Sequence, residues 1–226
     1  MHQATPPDPI LGRRFIDALA WATELHGQQA RKGGTIPYLG HLLGVCALVL
    51  DAGGDEDQAI AALLHDSVED GGISFDEIEG RFGPRVARIV RGCTDDRGDK
   101  PSPQMIGENK RLDSFRRKRD YITKVSTGEP DVVLVSAADK VNNALAILRD
   151  LDDLEEAGWS RFNVGRIGQV WYYNSLAKAF ADHPSRDKLG SQLTNLVEQI
   201  KDATGLEDSD LSQWYAKESR RQQTAP

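Results

Sequence analysis

A histidine and three carboxylates fall within six residues at His65-Asp66-Ser67-Val68-Glu69-Asp70, directly after the apolar run Ala61-Ala62-Leu63-Leu64. A helix that is apolar on every side must lie inside a protein, so this run would carry the polar groups inward with it. Buried carboxylates are costly unless a cation or dense hydrogen bonding compensates them. Imidazole nitrogens and carboxylate oxygens together suit a divalent metal ion. Taken alone, the His-Asp pair fits equally well as the polar end of a helix running into Gly71-Gly72. Two further residues change the balance: His41 opens another apolar helix, and Asp139 sits in the middle of the mostly apolar segment 131–146. Collected together, His41, His65, Asp66 and Asp139 would leave coordination positions open, which a hydrolase needs for water and a substrate oxygen. With nitrogen and oxygen donors and no thiolate, one Mn²⁺ ion is expected, with Fe²⁺, Co²⁺ or Zn²⁺ as alternatives.

Other residues suit an anion. Arg31-Lys32 precedes Gly33-Gly34, where the backbone can approach a ligand closely. Arginine offers a planar fork to phosphate oxygens or a base edge, and lysine adds a point charge. Residues 108–124 form a basic stretch carrying Lys110, Arg111, Arg116, Arg117, Lys118, Arg119 and Lys124. It reads either as an anion-facing side or as a solvated helix face. His26, near the end of the first helix, is expected as a structural histidine held by hydrogen bonds rather than as a ligand.

The elements that must position these groups read as helices throughout. Helical spacing marks 11–29, 42–50, the central 56–70 and 108–124. Ser74 and Glu77 make a capping box; that helix closes at Gly83, and Pro84 starts the next. Val132 to Val135 could form a short strand, but the pattern continues through Ile147 and Leu148 without a turn signal, which favours a helix. Beyond an acidic linker come a helix through Trp171 to Phe180, another over about 186–203, and an amphipathic piece around Trp214 before a fraying tail. Arg161, Asn163, Arg166 and Tyr172 either close over a substrate or belong to core and surface; they stay outside the site, and Trp171 reads as core. Residues 97–107 are rich in Pro and Gly, as long functional loops often are. No hairpin signal appears, so the fold class is all-α.

With 226 residues, 39% hydrophobic and 28% charged, the chain has the composition of a soluble globular protein. The expected layout is a lead over 1–10, a single domain over 11–226, and 157–226 as its C-terminal helical extension. A net charge of −7 argues against general nucleic-acid binding. No apolar run reaches membrane-spanning length, and the start lacks the regions of a signal peptide. Cys46 and Cys93 have no metal-like spacing and read as two buried thiols, so a cytoplasmic location is expected.

Three blocks in this order carry a resemblance: Arg31-Lys32 with Pro37-Tyr38-Leu39-Gly40-His41, then Leu63-Leu64-His65-Asp66-Ser67-Val68-Glu69-Asp70, then Ala138-Asp139-Lys140-Val141-Asn142-Asn143. Over roughly 15–151 the chain resembles the HD superfamily of metal-dependent phosphohydrolases, and within it the hydrolase domain of the RelA/SpoT group and the small alarmone hydrolases. Thr94-Asp95-Asp96 falls where that family has a similar turn. The resemblance implies an HD-domain helical bundle with additional C-terminal helices. It implies His41, His65, Asp66 and Asp139 as metal ligands, and Glu69 and Asp70 as the acidic pair that positions or deprotonates the attacking water. Arg31, Lys32, Tyr38, Lys140 and Asn143 would hold the nucleotide. The implied activity is removal of the 3′-pyrophosphate from (p)ppGpp or (p)ppApp by a dedicated hydrolase. The alternatives are a broader nucleotide phosphohydrolase, including action on the 2′-phosphate of NADPH, and a non-catalytic nucleotide-sensing HD domain. Two departures stand out. Ala144-Leu145-Ala146 follows Asn143 where relatives often carry methionine or leucine and then Arg-Thr, which bears on contacts to ribose and base. Leu42 replaces the proline that many relatives place after the ligand histidine.

Overall fold

The computed structural model describes residues 10–31, 34–94, 106–151, 159, 162–183 and 188–224. Lys32, Asp95-Asp96, most of the 97–107 loop, the acidic linker and Arg161 lie outside them, as does nearly all of the 1–10 lead. Ten helices and no strand occur among the described residues, so the all-α expectation holds. The chain divides into two compact units, residues 1–31 with 35–94 and residues 32–34 with 95–226.

The first unit is built around α3 (Glu56–Leu64), against which α1 (Arg13–His26), α2 (Leu39–Asp51) and α5 (Pro84–Cys93) pack. All six residues from Ala59 to Leu64 are fully buried, as an all-round apolar helix requires. Burying Ile60, Leu63 and Leu64 contributes roughly 1.5–3 kcal/mol apiece. The start of α3 is fixed by a capping box: Asp55 accepts from the Gln58 amide, and Gln58 accepts in return from the Asp55 amide. Arg14 holds α1 to that end through Glu56 and Asp57. The capping box at Ser74 and Glu77 opens α4 (Phe75–Phe82) as expected. Gly83, at φ +90°, ends α4, and Pro84 occupies the first turn of α5.

One boundary differs from expectation. The central helix was expected to reach Asp70, but it ends at Leu64, and 65–70 form consecutive turns. The Ser67 amide donates to the Leu64 carbonyl three residues back, so the regular four-residue ladder stops there.

The second unit contains α6 (Gly107–Ser126), α7 (Pro130–Leu151), α8 (Gly165–Asp182), α9 (Lys188–Thr204) and α10 (Asp208–Thr224). The 131–146 segment is helical, as its uninterrupted pattern favours. Trp171 is core, stacked on Tyr215 and packed with Phe115 and Trp214. Gly168 makes room for that cluster, because a Cβ there would lie 2.4 Å from Trp214 Cζ2. The C-terminal stretch does not fray where expected: α10 is helical to Thr224, with Leu211, Trp214 and Glu218 buried. The Glu218 carboxylate accepts hydrogen bonds from Arg111 and Arg221.

Much of the positive charge on α6 is used inside this unit. Arg116 and Arg117 both bind Asp113, Arg111 binds Glu218, and the Lys118 ammonium lies 3.8 Å from the Tyr172 ring centroid. Burial works to raise the Asp113 pKa, but the hydrogen bonds and charges of Arg117 and Arg116 outweigh it and hold the carboxyl below its ordinary range. Cys46 is buried as expected, and burial pushes its thiol up to about 11. Cys93, expected to be buried, is only half-buried: it is the last residue of α5, whose buried residues are Val86, Ala87, Ile89 and Val90. Among the described residues no helix is long and apolar enough to cross a membrane.

Candidate metal centre

The break after Leu64 decides the geometry at His65 and Asp66. Neighbouring side chains on a regular helix point about 100° apart and do not face a common point. On the turn they do: His65 Nε2 lies 3.0 Å from Asp66 Oδ2. His41, in the first turn of α2, brings its Nε2 to 3.8 Å from the same oxygen. The two imidazoles meet edge to face with centroids 5.3 Å apart, and both are buried. Tyr38, immediately before α2, donates its hydroxyl to Asp66 Oδ2 and packs against the His41 ring. Its amide donates to the Gln29 carbonyl, and the Arg31 amide donates to the Ile36 carbonyl, so the 29–38 loop is pinned at both ends.

The tautomer of His65 follows from its other nitrogen. Nδ1 lies 2.9 Å from the Ala62 carbonyl oxygen, which can only accept, so Nδ1 carries the hydrogen. In the neutral ring, Nε2 then directs a lone pair at a carboxylate oxygen 3.0 Å away. Two electron-rich atoms at that distance repel unless a proton or a cation lies between them. A backbone-oriented imidazole, a second imidazole and a carboxylate form a donor set that fits a divalent transition metal.

Of the acidic pair, Glu69 is half-buried and Asp70 is exposed; Asp70 Oδ2 accepts from Gln29 Nε2 at 3.3 Å. Arg31 is half-buried at the edge of the pinned loop.

The remaining predicted residues belong to the second unit. Asp139 is 7% exposed on α7, and both its oxygens are engaged from its own helix, by Lys140 Nζ at 2.5 Å and Asn143 Nδ2 at 2.5 Å. These contacts give Lys140 and Asn143 a part in fixing the Asp139 carboxylate, beyond any contact to substrate. Burial opposes the charged form of Lys140, but the Asp139 carboxylate, with help from Tyr121, Tyr172 and Tyr173, lifts its pKa well above the ordinary lysine value. Tyr172 is buried, and Asn163 donates to Ser114.

Residues that sequence reasoning left out are Gln29 and Ser67. Ser67 is fully buried behind Asp66, and its hydroxyl lies 3.2 Å from His26 Nε2. His26 is a structural, hydrogen-bonded residue as expected, with Nδ1 2.7 Å from Gln29 Oε1. No local signal marks Gln29, which lies three residues beyond the end of α1 and reaches a carboxylate 41 residues further on.

Residues 18–161 match the HD domain family, a span that includes every predicted site residue. The chain belongs to the HD-domain family. This HD-domain chain is 36% identical over 155 residues to guanosine-3′,5′-bis(diphosphate) 3′-pyrophosphohydrolase MESH1 of Mus musculus, covering 67% of the chain and 76% of that protein. MESH1 of Xenopus tropicalis is 38% identical over 153 residues, covering 66% and 76%. The guanosine-3′,5′-bis(diphosphate) 3′-pyrophosphohydrolase of Aquifex aeolicus is 35% identical over 126 residues, which is 56% of this chain but 16% of that protein. A solved structure described as a metazoan ortholog of SpoT that hydrolyzes ppGpp matches with a TM-score of 0.62 and 27% identity, covering 90% of this chain and all of the other. Helices α8 to α10 lie beyond the matched domain.

Proposed function

We propose that this HD-domain protein is a metal-dependent hydrolase that removes the 3′-pyrophosphate of a nucleotide alarmone, (p)ppGpp or (p)ppApp. Pyrophosphate would be released and the 5′-phosphorylated nucleoside left behind. The observation that carries this reading is the Nδ1-anchored His65 facing Asp66 Oδ2 at 3.0 Å, an arrangement that a cation completes. The activity for which the MESH1 relatives are named supports the substrate class.

His41, His65, Asp66 and Asp139 would hold the ion, taken here as Mn²⁺ with Fe²⁺, Co²⁺ or Zn²⁺ able to substitute. A divalent ion in this donor set supplies Lewis acidity toward water and a phosphoryl oxygen. Glu69 or Asp70 orients the attacking water or takes its proton; Asp70, exposed and bonded to the Gln29 amide, is taken here as the acceptor. Arg31, Lys32 and Lys140 neutralise the diphosphate and the charge that develops on it. The raised pKa of Lys140 keeps that residue an ammonium at neutral pH. Tyr38 orients Asp66 through its hydroxyl and offers its ring to the nucleotide, and Asn143 contacts the substrate while restraining Asp139. The partner is a small nucleotide, with no role for nucleic acid or a membrane, and the protein works in the cytoplasm.

Purified protein incubated with Mn²⁺ and a panel of ppGpp, ppApp, NADPH and ordinary nucleotides tests the reading, with products resolved by anion exchange. Pyrophosphate together with a nucleoside 5′-diphosphate is the expected outcome. Phosphate released from NADPH or 5′-nucleotides alone would mark a broader phosphohydrolase, and metal binding without turnover would mark a sensor. The mechanism is refuted if Asp66→Ala hydrolyses the alarmone as fast as the parent.

A further inference from the structure

We infer that His26 and Gln29 are positioning residues for Asp70, forming a directed hydrogen-bond chain that ends on one oxygen of that carboxylate. The inference rests on the reading of Asp70 as the group that takes the proton of water. Three distances define the chain: Ser67 Oγ to His26 Nε2 at 3.2 Å, His26 Nδ1 to Gln29 Oε1 at 2.7 Å, and Gln29 Nε2 to Asp70 Oδ2 at 3.3 Å.

Its polarity is fixed from the carboxylate end. An ionised carboxylate only accepts, so the Gln29 atom facing Asp70 is the amide nitrogen. The Gln29 oxygen therefore faces His26, and it can only accept, which places the ring hydrogen on Nδ1. In the neutral ring, Nε2 then accepts from the Ser67 hydroxyl. Reversing the amide would set an oxygen against the Asp70 carboxylate and leave that contact without a donor. Every donor thus points toward Asp70.

The anchor of the chain is rigid. His26 is 1% exposed and Ser67 is fully buried. The Ser67 amide is bonded to the Leu64 carbonyl, and the Ser67 carbonyl accepts from the Gly71 amide, so the ring is locked to the turn that also presents His65 and Asp66. The His26 ring packs against Tyr38 with centroids 5.5 Å apart, and the Gln29 carbonyl holds the Tyr38 amide at 2.8 Å. One imidazole therefore coordinates three neighbours of the candidate centre: the turn, Tyr38 and Asp70. With Oδ2 occupied by the Gln29 amide, Asp70 meets water through Oδ1, in one rotamer rather than several. For an exposed carboxylate on a turn the Gln29 amide supplies preorganisation, and preorganisation acts on the reaction step more than on substrate binding.

Two measurements on the full chain test this. The first does not depend on turnover: ¹⁵N chemical shifts of the His26 ring in the Zn²⁺-loaded protein should show a protonated Nδ1. An Nε2-protonated neutral ring reverses the chain and overturns the inference, whatever the substrate proves to be. The second is steady-state kinetics on the alarmone hydrolysed by the parent. Gln29→Ala, at a half-buried site that tolerates truncation, should lower kcat about fivefold to tenfold with KM within twofold. His26→Leu should lower kcat at least as much. His26→Asn, whose amide nitrogen stands where Nδ1 does, should recover most of that loss. A Gln29→Ala enzyme with parental kcat, or a loss carried by KM, or His26→Asn no better than His26→Leu at equal thermal stability, would each overturn the inference. A parent that hydrolyses no alarmone defeats the proposed function instead, and the ring tautomer still decides whether the chain exists.

Discussion

Replacing Asp66 by asparagine separates metal binding from folding at the point where the two meet. The amide has the shape of the carboxylate, and its nitrogen can turn toward His65 Nε2, which lies 3.0 Å from Oδ2 in the parent. A neutral hydrogen bond then replaces the carboxylate contact, so the metal-free variant keeps its fold, with stability within about 1 kcal/mol of the parent. Metal binding should respond very differently. At a free Mn²⁺ concentration one hundred times its dissociation constant, the parent gains about 2.7 kcal/mol by mass action. For a chain of this size that raises Tm by roughly 5–10 °C. Loss of an anionic ligand should weaken binding by at least about a hundredfold, more than the loss of an outer hydrogen-bond partner. At the same Mn²⁺ concentration the gain then shrinks to about 0.4 kcal/mol, or roughly 1 °C. Differential scanning calorimetry of both proteins, with EDTA and with Mn²⁺, reads this directly, and isothermal titration gives the affinities. If Asp66→Asn retains the Mn²⁺-induced shift of the parent, Asp66 is not a ligand and the donor set has been misassigned.

Three other outcomes follow from the packing and titration of the molecule. Gly168→Ala places a methyl 2.4 Å from Trp214 Cζ2 and 2.7 Å from Val164 Cβ, and should cost about 1–3 kcal/mol in urea denaturation; an unchanged midpoint would show that the notch is soft. Asp113→Asn should lose about 1–2 kcal/mol at pH 7, since both arginine partners lose a charged acceptor. Because the folded pKa of Asp113 is depressed, that contribution is present above the unfolded value of about 3.9 and is lost as pH falls through the lower folded value. Parent and variant denaturation curves should therefore converge in acid, and a gap that persists below both pKa values contradicts the assignment. Cys46, with its thiol at about 11 and its side chain buried, should resist thiol reagents at pH 8 until the protein unfolds, so rapid labelling in native buffer would argue against its burial.

The parts of this molecule that were legible in the sequence are those fixed by local rules. An apolar run without a polar face gave the central helix, Ser74 with Glu77 gave a capping box, and Gly83-Pro84 gave the joint between two helices. Asp139 could be singled out because a carboxylate amid valines and alanines needs a reason to be there. Distant pairings were not legible. Asp113 lies three and four residues before Arg116 and Arg117, a local spacing, but nothing near Glu218 marks it as the partner of Arg111, 107 residues away. The end of α3 was misread because His65 to Asp70 contains no helix breaker before Gly71; what stops the ladder is the bond from the Ser67 amide to Leu64. Gln29 was passed over for a related reason. Its side chain gains meaning only when α1 delivers it beside a turn some forty residues further on.

Helix α10 has a practical consequence. It sends Trp214 into the notch at Gly168, covers Phe115 and Trp171, and carries the fully buried Glu218 to Arg111. It is therefore a keystone of its unit and not a trailing appendage, even though it lies outside the matched domain. Anyone trimming this chain back to the recognisable domain for expression would strip the cover from a nest of aromatic rings, and sticky, poorly behaved protein would be the foreseeable yield.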